Sequence, residues 1–135
     1  MRLVVLLLML MVVTPTFAVA AGDGSAAQGV IRQQDEALSR DDAASAYALA
    51  APEIHAIFPS ADIFMMMVKE GYAPVYRHRR FEFGASQVDS GIITQHVDII
   101  DSNGEAWEAI YTLQTQPDGS LKISGCALRK TGQSV

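Results

Sequence analysis

The spacing of apolar residues changes once along this chain, at Gly71, and that change dictates the architecture. Before Gly71 apolar residues recur every three or four positions; after it they alternate. Val30, Ile31, Gln34, Ala37 and Leu38 fall on one helical face. Arg40-Asp41-Asp42 breaks that helix, and Asp42 offers an N-cap for a second helix over residues 42–51. Its alanines leave a stripe of Ala44, Tyr47, Ala48 and Ala51, small enough for close packing. Pro52 opens a short turn over residues 53–58, and Ser60 caps a third helix over residues 61–70 that Gly71 ends. Four strands are then predicted, over residues 77–83, 92–100, 106–114 and 121–128. Asp101-Ser102-Asn103-Gly104 and Pro117-Asp118-Gly119 carry the residues that tight hairpins favour, while the polar link at residues 84–91 reads as loose. Helices followed by an antiparallel meander make an α+β fold, with N-terminal helices packed on one face of a curved four-stranded sheet.

The first twenty residues have a different character. Met1-Arg2 is a positive start, residues 3–13 are an unbroken apolar run, Thr14-Pro15-Thr16 interrupts it, and Ala18-Val19-Ala20 is small. This is the layout of an export signal cleaved near Ala20, and the apolar run is too short to span a bilayer. The expected destination is the bacterial periplasm. Residues 21–28 then form a flexible lead-in, residues 29–131 one domain, and residues 132–135 a polar tail.

Removing 20 of the 135 residues leaves 115, enough for one domain with its own core. Cys126 is the only cysteine, so neither an internal disulfide nor a cysteine zinc site can form. The formal charge of −5 becomes −6 once Arg2 is lost. Such a surface repels nucleic acid and, after cleavage, anionic membranes.

Candidate functional residues are few. His55, with an ordinary pKa near 6.5, is the natural general base, and Asp35 the alternative carboxylate; both belong to a lyase or isomerase reading. The basic stretch Tyr76-Arg77-His78-Arg79-Arg80 gives a binding reading instead. Alternation puts Arg77 and Arg79 on the face of Phe81 and Phe83, where a guanidinium could clamp a carboxylate, and turns His78 and His96 outward. Tyr76, Tyr47 and the inward-facing Trp107 complete the binding candidates. The third strand turns Trp107, Ala109, Tyr111 and Leu113 inward, and the fourth Leu121, Ile123, Gly125 and Ala127. In the second, Gln95 shares a face with Ile93, Val97 and Ile99. Met65-Met66-Met67 points in three directions on a helix and cannot converge on an ion; Phe64, Met67 and Val68 read as core. The histidine spacing matches no metal motif, no glycine-rich phosphate loop or nucleophile elbow is present, and no metal or cofactor is expected. Cys126 reads as a packed, inert thiol.

The segments IRQQDEALSRDDAASAYALAAPEIHAIFP, AIFPSADIFMMMVKEGYAPVYR and YTLQTQPDGSLKISGCAL carry a resemblance spanning residues 30–128. The first resembles the opening helices of the nuclear-transport-factor-two-like superfamily, the α+β cone shared with ketosteroid isomerase and polyketide-cyclase relatives. Together they look like an uncharacterised family of short exported bacterial domains known only as a domain of unknown function. The resemblance implies a cone in which helices cover a bent sheet above a pocket, and allows a homodimer through the sheet; it implies no activity. The inward strand positions carry no acid, unlike the isomerases, which need a carboxylate base in the pocket. The reading that follows is a non-catalytic exported domain binding a small ligand or a protein partner through the sheet concavity, with the lyase or isomerase as alternative.

Overall fold

The computed structural model describes residues 24–132. The segment expected to be an export signal (residues 1–20), residues 21–23 of the expected lead-in and residues 133–135 of the expected tail lie outside the described residues. Five helices, α1 (Gly24–Ser39), α2 (Ala43–Ala48), α3 (Pro52–Ile57), α4 (Ala61–Gly71) and α5 (Ala73–Tyr76), precede four strands, β1 (His78–Asp89), β2 (Ile92–Asp101), β3 (Ala106–Thr115) and β4 (Leu121–Lys130). The strands pair antiparallel in the order β1-β2-β3-β4. This is the expected α+β arrangement.

Local chemistry explains most boundaries. Asp42 accepts a hydrogen bond from the Ser45 amide and Ser60 from the Ile63 amide, capping α2 and α4. Pro52 sits at the start of α3, and Pro74 starts the short α5, which was not anticipated from sequence. The segment predicted as a flexible lead-in is helical from Gly24, and Ala27 within it is fully buried. The stripe expected on the second helix holds in part: Ala51 is buried and Tyr47 packs against the core, but Ala44 and Ala48 are exposed, and Ala46 and Ala50 are buried in their stead. The supposed loose link is the second half of β1, which turns through Ser90 and Gly91, both at positive φ, into β2.

Ile31 and Leu38 of α1 meet Val97 and Ile99 of β2 and Leu113 of β3 in the core, all essentially without solvent contact. Burial of each such side chain contributes on the order of 1.5–3 kcal/mol. Strand β2 alternates cleanly, with Ile93, Gln95, Val97, Ile99 and Asp101 all buried. Between α2 and α3 the chain runs briefly parallel to β4: the Ala51 amide donates to the Ile123 carbonyl (2.7 Å) and the Ile123 amide to the Leu49 carbonyl (2.9 Å).

The outer strands do not alternate simply, because extra residues interrupt their pairing. His78 opposes Asp101 and Arg80 opposes Ile100, leaving Arg79 as a bulge. A second bulge lies between Phe83 and Ser86, and in β4 Ser124 is left over between Ile123 and Gly125. Each bulge reverses the faces beyond it. Consequently His78, expected outside, joins Phe81 on the core side at a ring separation of 4.8 Å, and Arg79, expected inside, is exposed. Beyond Ser124, Cys126 opposes Tyr111 and Leu128 opposes Ala109 on the core side, while Ala127, expected inside, is exposed.

Candidate functional site

A cavity of about 300 Å3 lies between the helical layer and the sheet. Its helical walls come from Gln34 and Leu38 of α1, Ile54 and Ile57 of α3, Phe64, Met67 and Val68 of α4, and Val75 of α5. Its sheet wall is Tyr111 of β3 with Ile123, Gly125 and Cys126 of β4. Ile57 is 67% exposed, so the α3 side borders solvent and forms the mouth. Of the methionine triplet, Met65 is buried, Met66 exposed, and the half-buried Met67 lines the cavity.

Four polar groups interrupt this apolar wall, and none carries a charge. The Gln34 amide nitrogen donates to the Ala46 carbonyl at 3.2 Å. The Tyr72 hydroxyl donates to the Cys126 carbonyl at 2.9 Å, and burial raises its pKa. Tyr111 and Cys126 stand opposite each other on β3 and β4, where each side chain acts on the other's ionisation. Burial holds Tyr111 well above the ordinary tyrosine range and pushes the Cys126 thiol up to about 12. All four groups are therefore neutral hydrogen-bonding partners at physiological pH, and the thiol is not a poised nucleophile.

None of the candidate catalytic and binding residues, His55, Asp35, Arg77, Arg79, Tyr76, Tyr47 and Trp107, lines this cavity. Arg77 is held at the end of α1. Its guanidinium donates to the Leu38 carbonyl (3.0 Å), pairs with Asp41 (3.2 Å) and lies 3.8 Å over the Tyr76 ring. Tyr76 donates to Asp41 in turn. Arg79 is an exposed bulge residue. Tyr47 donates to the Phe58 carbonyl (2.6 Å) and stacks on His55 at 3.8 Å, while His55 Nε2 donates to the Tyr47 carbonyl (2.7 Å). His55 borders a separate, more polar depression beside Asp118 and Lys122. Trp107 donates to buried Asp101 (2.9 Å). Burial tends to raise the Asp101 pKa, but hydrogen bonds from the Glu105 amide, the Trp107 indole and the Asn103 amide hold it below the ordinary value. Asp35 faces His78 Nε2 at 3.1 Å, and His78 Nδ1 donates to the Pro74 carbonyl at 2.9 Å. A carbonyl only accepts and a carboxylate only accepts, so this site favours the doubly protonated imidazolium. Burial works against that form, but Asp35 and Pro74 outweigh it and the His78 pKa is raised. His96 stands on the opposite face of the sheet, 3.5 Å from Glu108.

Sequence reasoning reached Tyr111, Leu38, Val68 and Met67 as core positions but not as cavity walls. It missed Cys126 because alternation alone turned that residue outward. Among the described residues no three His, Cys, Asp or Glu side chains converge as a metal would require, and no helix is long and apolar enough to cross a membrane.

Fold and site thus define an α+β domain enclosing an uncharged cavity between helices and sheet. The chain belongs to the family described as "Domain of unknown function (DUF4864)", whose profile matches residues 20–134. No curated protein matches the chain.

Proposed function

We propose that this domain is a non-catalytic binding module that takes a small, largely apolar ligand in the cavity between α1, α4 and the sheet. The observation that carries this reading is the cavity's size and lining. Ligand sites are concave, mostly apolar and furnished with a few polar groups, and about 300 Å3 is at the lower end of their range. The lyase or isomerase alternative has less support. Its candidate bases, His55 and Asp35, are engaged by Tyr47 and His78, and the cavity wall offers no carboxylate or imidazole. The sheet-on-helix arrangement is compatible with the nuclear-transport-factor-two-like cone, and we place the domain's work outside the cytoplasm on the strength of residues 1–20.

The test is direct binding of naphthalene, followed by thermal shift and titration, to the purified protein and to a variant with the cavity filled, Val75→Phe. Saturable binding by the native protein and its loss in the variant are expected. Met67→Trp at the rim serves if Val75→Phe does not fold. Absence of binding to the native protein, or equal binding by every folded variant, refutes the proposal.

A further inference from the structure

The cavity wall has no charged side chain: no Asp, Glu, Lys, Arg or His lines it. An ion entering would lose its hydration without meeting a counter-charge, at a cost of several kcal/mol even after relaxation. The ionised group that acts on Tyr111 is Asp35, which is itself paired with His78 and so supplies no counter-charge for a ligand ion of either sign. A neutral polar end loses less, because the hydroxyl and thiol of the sheet wall can replace its water. Size sets the remainder of the ligand. An apolar cavity of about 150 Å3 accommodates benzene, so about 300 Å3 matches two fused rings or a chain of about ten carbons.

We infer that the cavity selects an uncharged ligand of about this size with a single hydrogen-bonding end directed at Tyr111 and Cys126, and that it takes weak acids only in their protonated form. This rests on the cavity reading above and adds the rejection of charge, which a merely greasy hole with a polar or solvated floor would not impose.

Three probes of one shape separate the two ideas: naphthalene, 2-naphthamide and 2-naphthoate. At pH 7.5 the amide should bind at least about 30-fold more tightly than the carboxylate, the equivalent of roughly 2 kcal/mol. Between pH 7 and 5 the apparent affinity for naphthoate should rise about tenfold per unit, because only the protonated acid enters, while that for the amide stays level. Tyr111→Phe should weaken the amide about fivefold and leave naphthalene within twofold, a difference that general loss of structure would not produce. Val75→Phe should abolish all of these signals.

Carboxylate and amide binding within threefold of each other, or a flat pH profile for naphthoate, overturns the charge selection while naphthalene binding leaves the cavity reading standing. If neither naphthalene nor the amide binds, both fall together. Equal losses of amide and naphthalene in Tyr111→Phe overturn the assigned orientation. The pH profile of the native protein decides the main point even if both variants fail to fold.

Discussion

Gln95 is a polar side chain with no solvent contact in the middle of an apolar strand face, and its replacement tests how the β1 bulge is held. One end of its amide lies 2.8 Å from the His96 carbonyl, 3.1 Å from Gly84 and 3.4 Å from Ala85. Three carbonyls around one atom require that atom to be the nitrogen. The amide thus ties the carbonyls freed by the bulge between Phe83 and Ser86, while its own oxygen has no hydrogen-bond partner among the described residues. Gln95→Leu keeps the shape and removes two good N–H donors. A buried carbonyl left without a partner costs about 1–3 kcal/mol. Gly84 and Ala85 are exposed, so water can compensate their carbonyls in part, and loss of the unpaired oxygen returns about 1 kcal/mol. The net is a destabilisation of about 1–2 kcal/mol, or a fall in Tm of roughly 4–8 °C. Gln95→Glu is the sharper arm. A carboxylate can only accept, so it faces three acceptors unless protonated. Its folded-state pKa would be raised, its penalty absent below the unfolded value of about 4.3, and stability would fall as pH rises above it. Thermal unfolding of the three proteins at pH 4 and pH 7.5 provides the measurement. The reasoning is refuted if Leu equals or exceeds the native Tm, or if the Glu variant is no worse than Leu at pH 7.5.

Other consequences follow from the same geometry. With a thiol pKa of about 12 against an ordinary 9.0, Cys126 carries about a thousandth of the usual thiolate. The greater nucleophilicity of a high-pKa thiolate offsets part of this, leaving disulfide exchange with an aromatic disulfide roughly 30- to 60-fold slower than in the unfolded chain; equal rates would contradict the burial. The raised His78 pKa means its stabilising pairing with Asp35 is complete below about pH 6.5 and is lost as pH rises through the folded value. A plot of Tm against pH from 6 to 8.5 should therefore slope downward more in the native protein than in His78→Gln. A Cβ added at Gly125 would sit 2.9 Å from Thr112 Oγ1, so Gly125→Ala should cost about 1–2 kcal/mol in urea unfolding, and Thr112→Ala should recover most of it; additive losses would show the contact is not the cause.

The layered fold could be read from the sequence because its signals are local. The switch in period at Gly71, Ser60 as a cap, and the Asn-Gly and Asp-Gly turns act within a few residues, and Gly104 and Gly119 do adopt the positive φ those turns require. The candidate residues stand out by chemical reactivity, and all of them except the exposed Arg79 are engaged in holding elements together. Arg77 ties the end of α1 to Asp41, Tyr47 spans α2 to the end of α3, and Trp107 braces Asp101 at the β2–β3 turn. A charged group near an apolar element finds its partner locally whenever the alternative is partial burial without one.

The cavity was not legible for a physical reason that also shapes its chemistry. An inserted residue changes neither the composition nor the local propensity of a strand, yet it exchanges the faces of everything beyond it. Ser124 does this in β4, and it is the reason Cys126 rather than Gly125 stands opposite Tyr111 on the inner face. Strict alternation would place glycine there, leaving a sheet wall that is apolar apart from the tyrosine hydroxyl. The extra residue instead brings in a thiol that burial keeps protonated, opposite the tyrosine that carries that hydroxyl. The one irregularity that hides the site from pattern reading is thus what gives the sheet wall its neutral polar pair, and with it the means to orient a ligand that carries no charge.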